Sequence, residues 1–62
     1  MTENQKLWLE EIIEDHHVAA SNERLWALGA DDAETTEMHL ANSDEHIEFA
    51  DMLEALLRSK EA

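Results

Sequence analysis

The chain has 62 residues, with 16 acids against four bases, a formal net charge of −12, no Pro, no Cys and a single Gly. Without Cys there is no disulfide framework, thiolate metal site or Cys nucleophile. No apolar run approaches the roughly 18–20 residues of a membrane-spanning helix, and no basic segment leads an apolar stretch at the N-terminus.

These features predict a soluble, unprocessed, cytoplasmic protein with one domain over 1–62. The four bases, Lys6, Arg24, Arg58 and Lys60, are scattered along the sequence. Direct contact with nucleic-acid phosphates or anionic lipid is therefore disfavoured, because both require a basic patch. High net charge in so short a chain also favours disorder. Against that stand 44% apolar residues arranged with helical periodicity.

The first element opens at Thr2, where Thr2 and Gln5 have the spacing of a capping box. Good helix formers continue to Leu28, so helix 1 is expected over about 3–28. Gly29 stands where a left-handed residue would close a helix, and the turn is expected at 29–31. Asp31 offers the next N-cap, with Glu34 three residues on, so helix 2 is expected over about 32–59. Arg58 and Lys60 suit its C-terminus electrostatically. Asn42, Ser43, Asp44 and Glu45 form a second capping signal that could break helix 2, but no Gly or Pro supports a break, so continuity is favoured. Ser21 and Asn22 are a weaker soft spot of the same kind in helix 1.

Seam positions on helix 1 follow an alternating three- and four-residue spacing through Leu9, Ile12, His16, Ala19, Glu23 and Trp26. Trp8, Ile13, Ala20 and Ala27 widen that seam into a face. Helix 2 carries His39, Asn42, His46, Phe49, Leu53 and Leu56 at matching intervals, flanked by Ala50 and Leu57. A short turn forces the helices antiparallel. The fold class is therefore all-α, an antiparallel helical hairpin.

The apolar arc of helix 2 exceeds the roughly 100° that one partner covers. Met38, Phe49, Met52 and Leu56 lie on one flank, with Leu40, Ile47, Ala50 and Leu57 on the other. Two helices of about 40 Å each sharing one seam bury little, so a homodimer closing into a four-helix bundle is expected.

Polar residues interrupt both seams. Folding about 29–31 sets His16 opposite 43–46 and Glu23 opposite 36–39. Histidine and carboxylate projecting inward from facing helices is how bundle metal sites are built, so His16, Glu23, His39 and His46 are the candidate metal ligands of an alternative reading. Against it, buried polar side chains also set helix register. The Glu-x-x-His spacing is met only by Glu14 and His17, which point mostly away from the seam. No cofactor is expected. Nucleophile elbows and Gly-rich phosphate loops are absent, and two short helices leave little room for a pocket of roughly 300 Å³ or more. The sequence thus predicts a protein that is not an enzyme.

Two surfaces remain. Carboxylates outside the seams, with Glu45, Glu48 and Asp51 on one stretch of helix 2, form an acidic face. Such a face could imitate a phosphate backbone, as in DNA-mimicking accessory proteins of mobile elements, or could serve only solubility. Leu7, Val18 and Leu25 line the back of helix 1 as an apolar strip. The functional expectation is a small acidic regulator or inhibitor that binds a basic surface of a partner protein.

Overall fold

The computed structural model describes residues 1–61. Two helices, α1 (Glu3–Gly29) and α2 (Ala33–Glu61), run antiparallel and pack along their length. There are no strands among the described residues. The Cα trace fills a slab of 46 × 16 × 9 Å, a single layer of helices. No helix is long and apolar enough to cross a membrane among the described residues.

The start of α1 forms as its sequence dictates. Thr2 is extended, its side chain accepts from the Gln5 backbone N–H at 3.1 Å, and the Thr2 backbone N–H donates to the Gln5 side chain at 2.9 Å. Two helix-end donors are thereby satisfied reciprocally.

The turn differs from expectation in two details. Gly29 is the last residue of α1 and no described residue has positive φ, so it is not a left-handed cap. Instead Ala30, extended at φ −72° and ψ 143°, leaves the helix while its N–H donates to the Ala27 carbonyl at 3.3 Å. The cap of α2 is Asp32 rather than Asp31. The Asp32 carboxylate accepts from the Thr35 N–H at 2.7 Å and from the Thr35 hydroxyl at 3.0 Å, and its carbonyl accepts from the Thr36 N–H at 3.1 Å. Thr35 adds a hydroxyl donor to its backbone N–H, which Glu34, three residues after Asp31, lacks, and the helix starts one residue later than expected.

Both soft spots are helical, and α2 runs unbroken through Asn42 and Ser43. Ser43 is 1% exposed, and its hydroxyl donates to the Ala20 carbonyl of α1 at 3.0 Å. A capping residue directs its side chain to its own helix. Here the opposing helix takes that hydrogen bond.

The core lies one residue away from half of its expected positions. Ile13, Ala20 and Ala27 are the buried residues of α1, with Ser43 and Ala50 from α2. Leu9, His16, Glu23, Thr36, His39, His46, Leu53 and Leu57 occupy the remaining seam positions, half-buried. The interior ladder is therefore 9, 13, 16, 20, 23 and 27 against 36, 39, 43, 46, 50, 53 and 57, an antiparallel heptad seam. Ile12, Trp26, Phe49 and Leu56, expected inside, are exposed, while Ala19 and Asn42 are half-buried beside the seam. The physical reason is size. A serine hydroxyl reaching the opposite backbone requires helix axes near the short end of the usual roughly 8–10 Å, which favours small side chains at the neighbouring positions Ala20, Ala27 and Ala50.

Candidate interaction surfaces

Two polar pairs sit inside the seam. His16 and His46 face each other with their Nδ1 atoms 2.9 Å apart, one donating and the other accepting. His16 also stacks on Phe49, with ring centroids 5.5 Å apart and planes 16° from parallel. Farther toward the turn, His39 donates from Nδ1 to Glu23 Oε2 at 2.5 Å, with both side chains mostly covered. Trp26 leans over His39 at 5.7 Å.

All four proposed metal ligands thus point into the seam, but as two separate pairs rather than one cluster. Their donor atoms hydrogen-bond to one another, and no group of three or more ligating side chains converges among the described residues. No buried side-chain polar atom lacks a partner among the described residues, so the pairs satisfy one another in a seam too narrow for larger side chains.

The seam divides the outside of the slab into two broad faces. On one face His17 of α1 donates to Glu54 of α2 at 3.0 Å. Arg24, Ala27 and Leu28 there meet Thr36 and Leu40 around an open depression of about 300 Å³. On the other face α1 contributes Trp8, Ile12 and Trp26, and α2 contributes Met38, Phe49, Met52 and Leu56, all substantially exposed. Trp8 is 65% exposed and Phe49 54%. These are the flanking positions beside the seam, and on antiparallel helices they share one side. The sequence reading identified the α2 flank but placed Trp26, Phe49 and Leu56 at the centre of the seam.

The edges of the slab carry the other predicted residues. Glu45, Glu48 and Asp51 are exposed on the outward ridge of α2, each about 4.5 Å along the axis from the last. Leu7, Val18 and Leu25 are exposed on the outer side of α1. Leu7 lies about 16 Å along the axis from Val18, with Glu11 and Glu14 between them, so the three do not make a continuous strip.

Charge is distributed along the hairpin more unevenly than the sequence suggested. Lys6 and Lys60 line one depression of about 360 Å³ at the open end, with Met1, Thr2 and Glu3. Arg58 of the last turn pairs with Glu54 at 3.6 Å. Three of the four bases, described as scattered from sequence, therefore gather at the open end. The turn end holds Asp31, Asp32, Glu34 and Glu37. The two Thr35 hydrogen bonds, backbone first and then hydroxyl, hold the Asp32 carboxyl below its ordinary pKa.

Comparison of the chain with protein-family models, with curated proteins and with solved structures finds no match.

Proposed function

We propose that the chain is a small, non-enzymatic interaction protein that works as a homodimeric four-helix bundle and binds a basic surface of a partner protein, regulating or inhibiting it. The observation that carries this reading is the outward ridge of α2, where Glu45, Glu48 and Asp51 stand exposed on an unbroken 29-residue helix. A helix holds such carboxylates at fixed spacing. They can meet lysines and arginines on a partner without the ordering cost of a flexible acidic tail.

Self-association is supported by the single-layer form, since a stable domain normally closes at least two layers around one core. With a Cα radius of gyration of 14.3 Å, the hairpin is larger than the roughly 10–11 Å of a compact chain of this length. Its two depressions are open and lack the convergent acid, base and nucleophile that a catalytic site requires.

The test is capture of a partner from the native host's lysate by the tagged protein and by a variant carrying Glu45→Gln, Glu48→Gln and Asp51→Asn. The reading predicts a basic partner whose retention falls steeply between about 50 and 500 mM NaCl, as screened attraction must, and which the triple variant loses while remaining helical. A partner retained equally by both proteins and at both salt concentrations would contradict it.

A further inference from the structure

Much of the seam is closed by small side chains, Ala20, Ala27, Ser43 and Ala50 beside Ile13, while Trp8, Ile12, Trp26, Met38, Phe49, Met52 and Leu56 stand exposed on one broad face. Three quantities bear on what covers that face.

The first is area. A compact monomer of this mass exposes roughly 4,100 Å², whereas the hairpin exposes 4769 Å². The excess, roughly 700 Å², is close to the ~800 Å² that each partner contributes to a standard stable interface.

The second is charge. Of the 16 acids, only Asp15 and Glu45 occupy flanking positions on this face. A chain of net charge −12 can approach its own kind most readily there. The ends of the slab differ in charge: at one Lys6, Arg58 and Lys60 offset Glu3 and Glu54, while at the other Asp31, Asp32 and Glu34 stand close together in the chain.

The third is size. His16 and His46 mark the middle of the hairpin. Reversing one copy about that level lays Ile12 over Ala19 and Phe49 over Asn42 of the second copy, bulky against small. The same reversal brings Trp8 within a turn of the second copy's Trp26.

We infer that this face packs against the same face of a second copy of the chain, head to tail, with the turn of each hairpin against the open end of the other. The inference rests on the self-association proposed above, and adds which surface is used and in which direction. Same-direction packing would set one acidic turn against the other, and would leave Ala19 facing Asn42 of the second copy across a gap, small against small. Head-to-tail packing places opposite charges together at both ends, where complementary potentials favour one orientation. It leaves Glu48 and Asp51 of the outward ridge accessible, with Glu45 at the rim of the interface.

Two measurements on the full chain test this. Light scattering of the wild type should give twice the 7.1 kDa protomer mass. Phe49→Glu and Ile12→Glu should each weaken the dimer on the order of a hundredfold, as loss of a central interface anchor does, while Val18→Glu and Leu25→Glu should leave it intact. The chain has no Cys, so Ser59→Cys carries a unique spin label near the open end. Head-to-tail copies place the two labels roughly 35–40 Å apart, from 1.5 Å per residue on either side of the midpoint. Copies running the same way would hold them within about 20 Å, the width of two packed helices.

The long distance supports the inference even if a glutamate variant unfolds, because the labelled protein keeps the native face. A dimer with the short distance, or one broken by Val18→Glu and untouched by Phe49→Glu, overturns the face or its direction while leaving self-association standing. A folded wild-type monomer overturns both.

Discussion

The hydroxyl of Ser43 donates across the seam to the backbone carbonyl of Ala20, at 3.0 Å and with Ser43 almost wholly buried. This contact fixes how closely the two helices approach. Beside it the small side chains Ala20 and Ala50 occupy the core.

Substitutions at Ser43 should separate the hydrogen bond from the spacing. Ser43→Ala removes the donor but keeps the size, and the Ala20 carbonyl retains its helical partner. The cost should be about 1 kcal/mol, the net worth of one hydrogen bond. Ser43→Leu overfills the same site and should cost about 3 kcal/mol or more by forcing the helices apart. Urea denaturation of the two variants checks the ordering. Equal losses would mean that close approach is not what the site requires.

Gly29 offers an opposite change. It is helical, its φ is not positive, and a Cβ built on it meets nothing within 4 Å. Gly29→Ala should therefore stabilise the hairpin by about 0.5–1 kcal/mol through the lower entropy of the unfolded chain. Thermal melting of the variant checks this. A fall in melting temperature would show that the position needs backbone freedom after all.

Much of the architecture is legible in the sequence, and the departures share a cause. The capping box at Thr2, the antiparallel hairpin and the pairing levels of His16 with His46 and Glu23 with His39 all follow from spacing and a short turn. Half of each seam, residues 9, 16 and 23 with 39, 46 and 53, is also placed correctly. The other half shifts by one, from Ile12, Ala19 and Trp26 to Ile13, Ala20 and Ala27, and from Asn42, Phe49 and Leu56 to Ser43, Ala50 and Leu57. Hydrophobicity favours the bulkier set, but close helix packing favours the smaller one. A pattern of alanine and serine at seven-residue intervals, Ala20 and Ala27 with Ser43 and Ala50, was the signal available. The turn slipped for a similar local reason, because two adjacent aspartates compete for one cap and only Asp32 has a threonine three residues later.

That cap makes stability depend on pH at the acid end. The folded pKa of Asp32 lies below its ordinary value of 3.8 because the ionised carboxylate accepts the Thr35 hydrogen bonds. A group with a lowered folded pKa contributes stability that is present above its unfolded pKa and lost as pH falls through the folded one. The contribution of Asp32 should thus be complete about one pH unit above 3.8 and disappear only as pH falls through the lowered folded value. Asp32→Ala should lower the melting temperature at pH 7, and the difference from wild type should shrink towards pH 3. A difference unchanged over that range would mean the carboxylate's charge plays no part in the cap.

The seam histidines give a prediction about metal. His16 and His46 already satisfy each other, as do His39 and Glu23, and removing both members of a buried polar pair in favour of apolar groups of similar size is near neutral or stabilising. Replacing His16 and His46 together by Leu should leave the melting temperature equal or higher. Stoichiometric zinc should raise the melting temperature of neither protein, and chelator should lower neither. A zinc-dependent rise in the wild type that the double replacement abolishes would instead favour the metal-binding alternative.

The central claim is that one hairpin is half of the folded unit. Among the described residues only Ile13, Ala20, Ala27 and Ala50 form its buried apolar core, and seven large apolar side chains lie exposed on the face proposed to meet a second copy. If folding requires that meeting, mass action makes stability depend on protein concentration. The melting temperature measured from about 1 to 100 μM, a range chosen to span a micromolar dissociation constant, should rise steadily, with a single transition. A melting temperature that stays constant over that range, for a protein that is folded and helical throughout, would contradict the account.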